Sequence, residues 1–352
     1  MSKYWSPLTA SLEPYVPGEQ PKDKKYIKLN TNENPYPPSP LAIAAMTDTI
    51  NEDLRLYPDP NCDVLVQTLA QHAGLSPKQV FVGNGSDEIL AFAFASFFDP
   101  SKPVLFPDVT YSFYKVYSKF YGITPRLIPL DDQYNINVEQ YTGDHGGIII
   151  PNPNAPTAMP LSLEDVKQLL KNNADQVVII DEAYVDFGAE SAVTLVNSYS
   201  NLLVIQTLSK SRSLAGLRVG YAFGSEELIE GLNRTKNSFN SYTIDRVALA
   251  GAVASIEDEA YFREMTAKVV ATRERVAEKL ESLGFIVTPS KANFLFISHP
   301  SFAAKQLFEQ LREQGVLVRY FASPRIDNFL RVSIGTDGEM DVFLQLVKQL
   351  TH

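Results

Sequence analysis

The sequence predicts an α/β fold: a mostly parallel sheet flanked by helices, joined to a smaller α+β C-terminal domain and preceded by an extended N-terminal arm. Three observations carry that prediction. Short apolar runs recur between stretches of helical periodicity, as expected of strands buried on both faces. After about residue 230 the texture shifts to long amphipathic helices, then to short strands alternating with helices. Residues 1–40 are rich in Pro and polar groups and read as an arm that packs on the small domain or on a partner subunit.

Taken in order, "YIKL" within the arm reads as one short strand. From residue 41, "PLAIAAMTDTI" and "DVLVQTLAQHAG" are helical in period, with the Pro-rich loop "RLYPDPN" between them. "QVFVGNGSDEILAFAFASFF" passes from strand through a glycine turn into helix. "KPVLFPDVTYSFYKVYSKFYG" and "TPRLIPL" follow, with further strands at "GGIIIPNPN", "QVVIIDEAY", "NLLVIQTLSK" and "RVGYAFG". "NSFNSYTIDRVALAGAVAS" and "DEAYFREMTAKVVATRERVAEKLESLG" read as long helices. "FIVTPSKANFLFISH", the helix "SFAAKQLFEQLREQG", the strands "VLVRYF" and "FLRVSIG" and the helix "DGEMDVFLQLVKQL" complete an α+β unit. The expected division is an arm over 1–40, a large domain over 41–240 and a small domain over 241–352.

Composition narrows the function. The chain has 352 residues, 45% hydrophobic and 20% charged, the balance of an ordinary globular protein. Its net charge of −10 argues against wholesale nucleic-acid or anionic-membrane binding and leaves room for a local positive pocket. No apolar run approaches the length of a membrane span, and the first residues lack the apolar core of a secretory signal. The lone Cys62 excludes an internal disulfide, and a cytoplasmic location is the expectation. The four histidines are scattered, so no metal site is expected.

In a parallel sheet, ligands gather beyond the carboxyl ends of the strands, so the polar residues that end each apolar run should converge. In "VFVGNGSDEIL" (80–90), Gly83 and Gly85 allow a tight turn, and Ser86 and Asp87 open a helix. Its free N–H groups would bind a phosphate or, in the plainer reading, form an ordinary capped start. The spacing matches neither a nucleotide P-loop nor GxGxxG. In "FPDVTYSFY" (106–114), Tyr111 follows a turn and is either a platform for an aromatic ligand or a packing residue. "QVVIIDEAYVDF" runs straight into Asp181, with Tyr184 three residues on. A carboxylate buried there needs a cationic or hydrogen-bonding partner. "LLVIQTLSKSRSLAGLRVGYAF" (202–223) places Ser209 and Lys210 after a strand and Arg218 in a Gly-rich segment. A lysine cornered among cationic groups can have a lowered pKa and act as a nucleophilic amine. Phosphate cradle, aromatic platform, buried carboxylate and cornered lysine together are what a pyridoxal 5′-phosphate site requires: the lysine for a Schiff base, the carboxylate to keep the pyridine nitrogen protonated.

"NENPYPP" (32–38), "YPDP" (57–60), "GNGSDE" (83–88), "PNPNAPT" (151–157), "DEAYVDF" (181–187), "TLSKSRSLAGLRVGY" (207–221) and "FLRVSIG" (329–335) resemble the fold type I pyridoxal-phosphate aminotransferases, and within them the histidinol-phosphate aminotransferase family. The resemblance covers essentially the whole chain and implies a seven-stranded, mostly parallel sheet. It implies that Lys210 is the Schiff-base lysine and proton shuttle, that Asp181 pairs with the pyridine nitrogen and that Tyr184 bonds the 3′-oxygen. Tyr111 would stack on the ring, while Ser86, Asp87, Ser209 and Arg218, with Thr207 beside them, would hold the phosphate. Tyr57 would reach the cofactor phosphate of a partner subunit, making a homodimer with sites at the interface. One departure stands out: Ala155 and Ala158 occupy positions where the family pattern has Asn and Gly. Asn154, one residue earlier, supplies the missing 3′-oxygen contact if the loop shifts by a residue; a water is the alternative.

The implied reaction moves an amino group between L-histidinol phosphate and 2-oxoglutarate, in L-histidine biosynthesis. Both anionic small-molecule partners suit arginine, whose fork pairs with carboxylate or phosphate. Arg331 in "FLRVSIG" and Arg319 in "VLVRYF" are the expected anion contacts, with Tyr15 and Asn32 on the arm closing over the substrate. An aromatic or general amino-acid aminotransferase, or an amino-acid-phosphate decarboxylase of the same fold, is the alternative, and a non-catalytic cofactor-binding sensor is the rival of another class.

Overall fold

The computed structural model describes residues 2–15 and 18–351. The arm carries a short helix α1 (Pro7–Ser11) and strand β1 (Ile27–Lys28), and then α2 (Pro40–Thr49) and α3 (Asp63–Ala73) lead into the main sheet. Its strands are β2 (Val80–Gly83), β3 (Val104–Pro107), β4 (Pro125–Ile128), β5 (Gly147–Pro151), β6 (Val178–Asp181), β7 (Leu202–Thr207) and β8 (Gly220–Gly224). They lie in the order β2-β8-β7-β6-β5-β3-β4. Every pairing from β7 to β4 is parallel, and β8 alone runs antiparallel, between β2 and β7.

The strands are buried on both faces because their side chains alternate between two cores. Ile148, Ile150, Val178, Ile180 and Val204 face one side, where α3, α6 (Leu163–Asn172) and α8 (Arg246–Glu257) pack. Ile149, Ile179, Leu203 and Ile205 face the other, against α4 (Gly85–Phe97), α5 (Phe113–Phe120) and α7 (Glu226–Phe239). Helix α8 lies beyond residue 240, yet Ala248, Ala252 and Ile256 are part of the main sheet's core. Packing therefore assigns residues 246–257 to the large body.

The second body is a four-stranded antiparallel sheet ordered β12 (Arg319–Tyr320), β13 (Leu330–Ser333), β10 (Phe294–Ser298) and β9 (Ile286–Val287). Helices α9 (Glu259–Ser282), α10 (Ala304–Glu313) and α11 (Asp337–Thr351) cover it through Val269, Leu280, Leu307 and Phe343. Strand β11 (Val316–Leu317) pairs in parallel with β1, so the arm is stitched to this body. Among the described residues, no helix is long and apolar enough to cross a membrane.

Two sequence expectations change. "VLVRYF" is not one strand: residues 316–317 pair with the arm and 319–320 pair with β13, so the chain switches sheets at the buried Val318. "NSFNSYTIDRVALAGAVAS" is not one helix. Asn240 turns extended and ends α7, and Asn84 Nδ2 holds the Thr243 carbonyl at 2.9 Å. Asp245 then caps α8 by accepting from Ala248 N–H at 2.8 Å.

Candidate active site

The strand ends converge on a cleft of about 230 Å³ between the two bodies. Thirteen of the fifteen residues given a role above line it: Tyr15, Asn32, Ser86, Asp87, Tyr111, Asp181, Tyr184, Thr207, Ser209, Lys210, Arg218, Arg319 and Arg331.

One end is a cradle built on the first turn of α4. Gly85 sits at φ +79°, and a Cβ there would lie 2.6 Å from Arg218 Nη2. A Cβ on Gly220 would lie 2.5 Å from both Gly85 C and Ser86 N, so β8 and the helix start touch backbone to backbone. Arg218, itself left-handed at φ +56°, reaches Ser209 Oγ and Asp87 Oδ2, each at 3.4 Å. Asp87 in turn accepts from Tyr111 Oη at 3.0 Å, which turns that ring to line the cleft. Helix-start N–H groups, a hydroxyl and a guanidinium converging on the cleft are what a phosphate monoester fits.

The floor is Asp181, closing β6 and 5% exposed. Oδ2 accepts from Tyr114 Oη at 2.7 Å and Oδ1 from Ala183 N–H at 3.3 Å. No ion pair to it occurs among the described residues, and burial pushes its pKa up from 3.8 to about 6, against the pull of those hydrogen bonds. A buried carboxylate in that state fits a cationic ring nitrogen. Next along the chain, Glu182 is turned away into a network with Ser191, Ala192 and Gln206, and burial lifts it to about 7.

Lys210 follows β7, with Nζ 3.3 Å from the Thr31 carbonyl and 5.7 Å from the centre of the Tyr184 ring. Its backbone is tied to the arm, since Asn34 Nδ2 donates to the Lys210 and Ser211 carbonyls at 3.1 Å each. Tyr184 Oη accepts from Asn32 Nδ2 at 3.0 Å.

At the mouth, Arg319 and Arg331 stand directly opposite each other on β12 and β13. Like charges so placed repel and favour an anion between or beside them. Arg331 Nη2 donates to the Asn30 carbonyl at 3.1 Å, while its buried Nε has no partner among the described residues. Burial lowers the Arg331 pKa, and the neighbouring Arg319 charge lowers it further. Beyond the mouth a second chamber of about 520 Å³ shares Tyr15, Tyr111, Ala155, Arg319 and Arg331 with the cleft.

Two expected residues lie elsewhere. Asn154 is fully buried with its amide turned into the loop: Nδ2 donates to the Val109 carbonyl and Thr157 Oγ1, and Oδ1 accepts from Thr110 Oγ1. Ala155 lines the cleft in its place, so the loop does not shift by a residue to bring Asn154 in. Tyr57 is 77% exposed and stacked on Tyr242 at 4.6 Å, outside this chain's own cleft. Sequence reasoning missed Tyr114, whose bond to Asp181 has no signal in a segment with four tyrosines, and the Asn32–Tyr184 contact, which joins residues 152 apart.

The model of the aminotransferase class I and II family matches residues 24–347. The chain is 59% identical over 349 residues to a histidinol-phosphate aminotransferase of Clostridium acetobutylicum, covering 99% of each chain. It is 59% identical over 353 residues to one from a Marinomonas species, covering 99% of this chain and all of that one. Among solved structures, the histidinol-phosphate aminotransferase of Sinorhizobium meliloti in complex with pyridoxal-5′-phosphate superimposes with a TM-score of 0.89 at 23% identity, covering 100% of this chain and 98% of that one. Match and geometry agree, and the chain belongs to the aminotransferase class I and II family.

Proposed function

We propose that this enzyme transfers an amino group between L-histidinol phosphate and 2-oxoglutarate, with pyridoxal 5′-phosphate as its cofactor, in L-histidine biosynthesis. The observation that carries the reading is the pair of facing arginines, Arg319 and Arg331, lining a cleft that also holds the start of α4, Ser209 and Arg218. Relatives of that name at 59% identity over the full chain support the choice of substrate.

Bound there, pyridoxal phosphate supplies an aldehyde that condenses with amines and a ring that withdraws electrons. The chain's own residues do the rest. Ser86 and Asp87 N–H groups at the start of α4, the Ser209 hydroxyl and Arg218 hold the phosphate end. Asp181, oriented by Tyr114, would hold a proton on the ring nitrogen. The Tyr111 ring would support the cofactor ring. Tyr184 Oη would hold the 3′-oxygen, and Lys210 Nζ, once freed, would serve as the base that takes a proton from the substrate carbon. Arg331 takes the carboxylate of glutamate or the phosphate of histidinol phosphate, Arg319 adds a second contact, and Tyr15 on the arm closes over the bound substrate. Tyr57 extends to the cofactor phosphate of a second copy, so the working unit is a homodimer with isologous contacts.

Borohydride reduction of the cofactor-loaded enzyme followed by peptide mapping tests the anchor: the pyridoxyl group is expected on Lys210. Single-turnover rates with histidinol phosphate, phenylalanine, tyrosine and phosphothreonine test the substrate. A kcat/KM for an aromatic amino acid at or above that for histidinol phosphate would overturn the proposed substrate, and CO2 release in place of a keto product would overturn the reaction.

A further inference from the structure

Asn32 is a cleft residue whose amide, ambiguous in most settings, is oriented by its surroundings. It is 1% exposed, and its backbone is held at φ +54°, a left-handed conformation that asparagine tolerates better than most residues. Asn293 Nδ2 donates to the Asn32 carbonyl at 3.0 Å and clamps that backbone. The Asn32 N–H donates to Ser333 Oγ at 2.8 Å, and Ser333 Oγ lies 2.9 Å from Asn32 Oδ1. Since that hydroxyl already accepts from the backbone, its proton satisfies Oδ1, the acceptor its contacts offer among the described residues. The amide is thereby oriented, and its Nδ2 end meets Tyr184 Oη at 3.0 Å. An NH2 group only donates. The Tyr184 oxygen is therefore an acceptor toward Asn32, and its own proton is left for the cleft. On the adjacent wall the Ala155 side chain cannot donate, and the Asn154 amide is turned away.

We propose that Asn32 is a positioning residue that sets the polarity of Tyr184: by donating to the phenolic oxygen, it commits the Tyr184 proton to the 3′-oxygen of the cofactor. The inference rests on the reading of the site given above. It draws the arm, the small sheet through Ser333 and the loop after β6 into one hydrogen-bond chain that ends on the cofactor. The arm thus takes part in cofactor chemistry as well as in covering the substrate.

Calorimetric titration of the cofactor-free protein with pyridoxal phosphate and with its 3-deoxy analogue isolates the effect, because the ratio of the two Kd values reports what the 3-oxygen contributes. The unmodified protein should prefer the oxygenated ligand by about 10- to 100-fold, the size of a hydrogen bond to a charged acceptor. Asn32→Asp keeps the shape and the Ser333 contact but offers Tyr184 only an acceptor, so the preference should fall to near unity. Asn32→Ala frees the Tyr184 proton without redirecting it and should give an intermediate ratio. Tyr184→Phe should abolish the preference, and adding Asn32→Asp to it should cause no further loss. A ratio unchanged in both Asn32 variants overturns the proposal, as does an equal loss from Asn32→Asp with and without Tyr184. If Tyr184→Phe alone keeps the full preference, the failure lies in placing the 3′-oxygen at Tyr184, and the proposal falls with that premise.

Discussion

Asp181 sits at the floor of the cleft as a buried carboxylate with no ion pair among the described residues, and Asp181→Asn should make the cofactor-free protein more stable while it disables the enzyme. Burial raises the folded-state pKa from 3.8 to about 6. Between those pH values the folded chain holds a proton that the unfolded chain has released, so stability falls as pH rises through the window, and the full deficit persists above it. The gap of about 2 in pKa corresponds to about 3 kcal/mol. Asparagine carries no charge and can still accept from Tyr114 Oη, but its NH2 faces the Ala183 N–H that Oδ1 now accepts at 3.3 Å, a loss of about 1 kcal/mol. The net gain at pH 7.5 is about 2 kcal/mol. With a melting entropy of about 0.7 kcal/mol/K for 352 residues, that is a rise of about 3 °C in Tm. Scanning calorimetry of the cofactor-free protein from pH 4 to 8 should show this gain at pH 7.5 and its loss, or a slight reversal, near pH 4. Loaded with cofactor, the same variant should lose about 10²–10⁴-fold in turnover, the contribution of a positioned proton-transfer group. A stability gain that is independent of pH, or no gain at all, would refute the account of Asp181 as an uncompensated buried charge.

Gly220→Ala puts a Cβ 2.5 Å from the backbone of Gly85 and Ser86, so α4 must move off β8. We expect a loss of about 1–3 kcal/mol in stability from overpacking, with cofactor affinity about 10- to 100-fold weaker by calorimetry; unchanged affinity would show that this helix start does not hold the phosphate. Arg331→Ala should lower kcat/KM in both half-reactions by the equivalent of about 2–5 kcal/mol, because its Nε is left for the substrate anion. Arg319→Ala should weaken the histidinol-phosphate half more than the glutamate half, and stopped-flow single turnovers separate the two. Sedimentation equilibrium should find a dimer, with Tyr57→Phe binding the cofactor more weakly in the intact dimer; an active monomer would refute the shared site.

Much of the site was legible because catalytic residues in this architecture sit where strands stop. "VVIID", "LLVIQTLSK" and "VFVGNGS" each join an apolar run to a polar residue, and a parallel sheet brings such ends to one edge whatever their separation in sequence. Asp181, Lys210 and Ser86 therefore group together from the sequence, and the Gly–Gly turn with its acidic helix start is a local signal. What folding alone decided is which way side chains turn within a segment and what meets them from elsewhere. Asn154 and Ala155 are neighbours with opposite fates, one locked into the loop and one on the cleft wall, because Val109 and Thr110 come from another strand end to claim the Asn154 amide. "VLVRYF" reads as one strand by periodicity, but the arm competes for its first half and β13 for its second. The loop over 240–245 breaks an apparently continuous helix since Asn84, far back in the chain, holds its backbone. Local pattern thus determined the elements and the chemistry at their ends; hydrogen-bond partners distant in sequence, such as Tyr114 for Asp181 and Asn32 for Tyr184, were decided only when the two bodies and the arm closed on one another, because no periodicity records a contact between residues that the chain itself does not bring together.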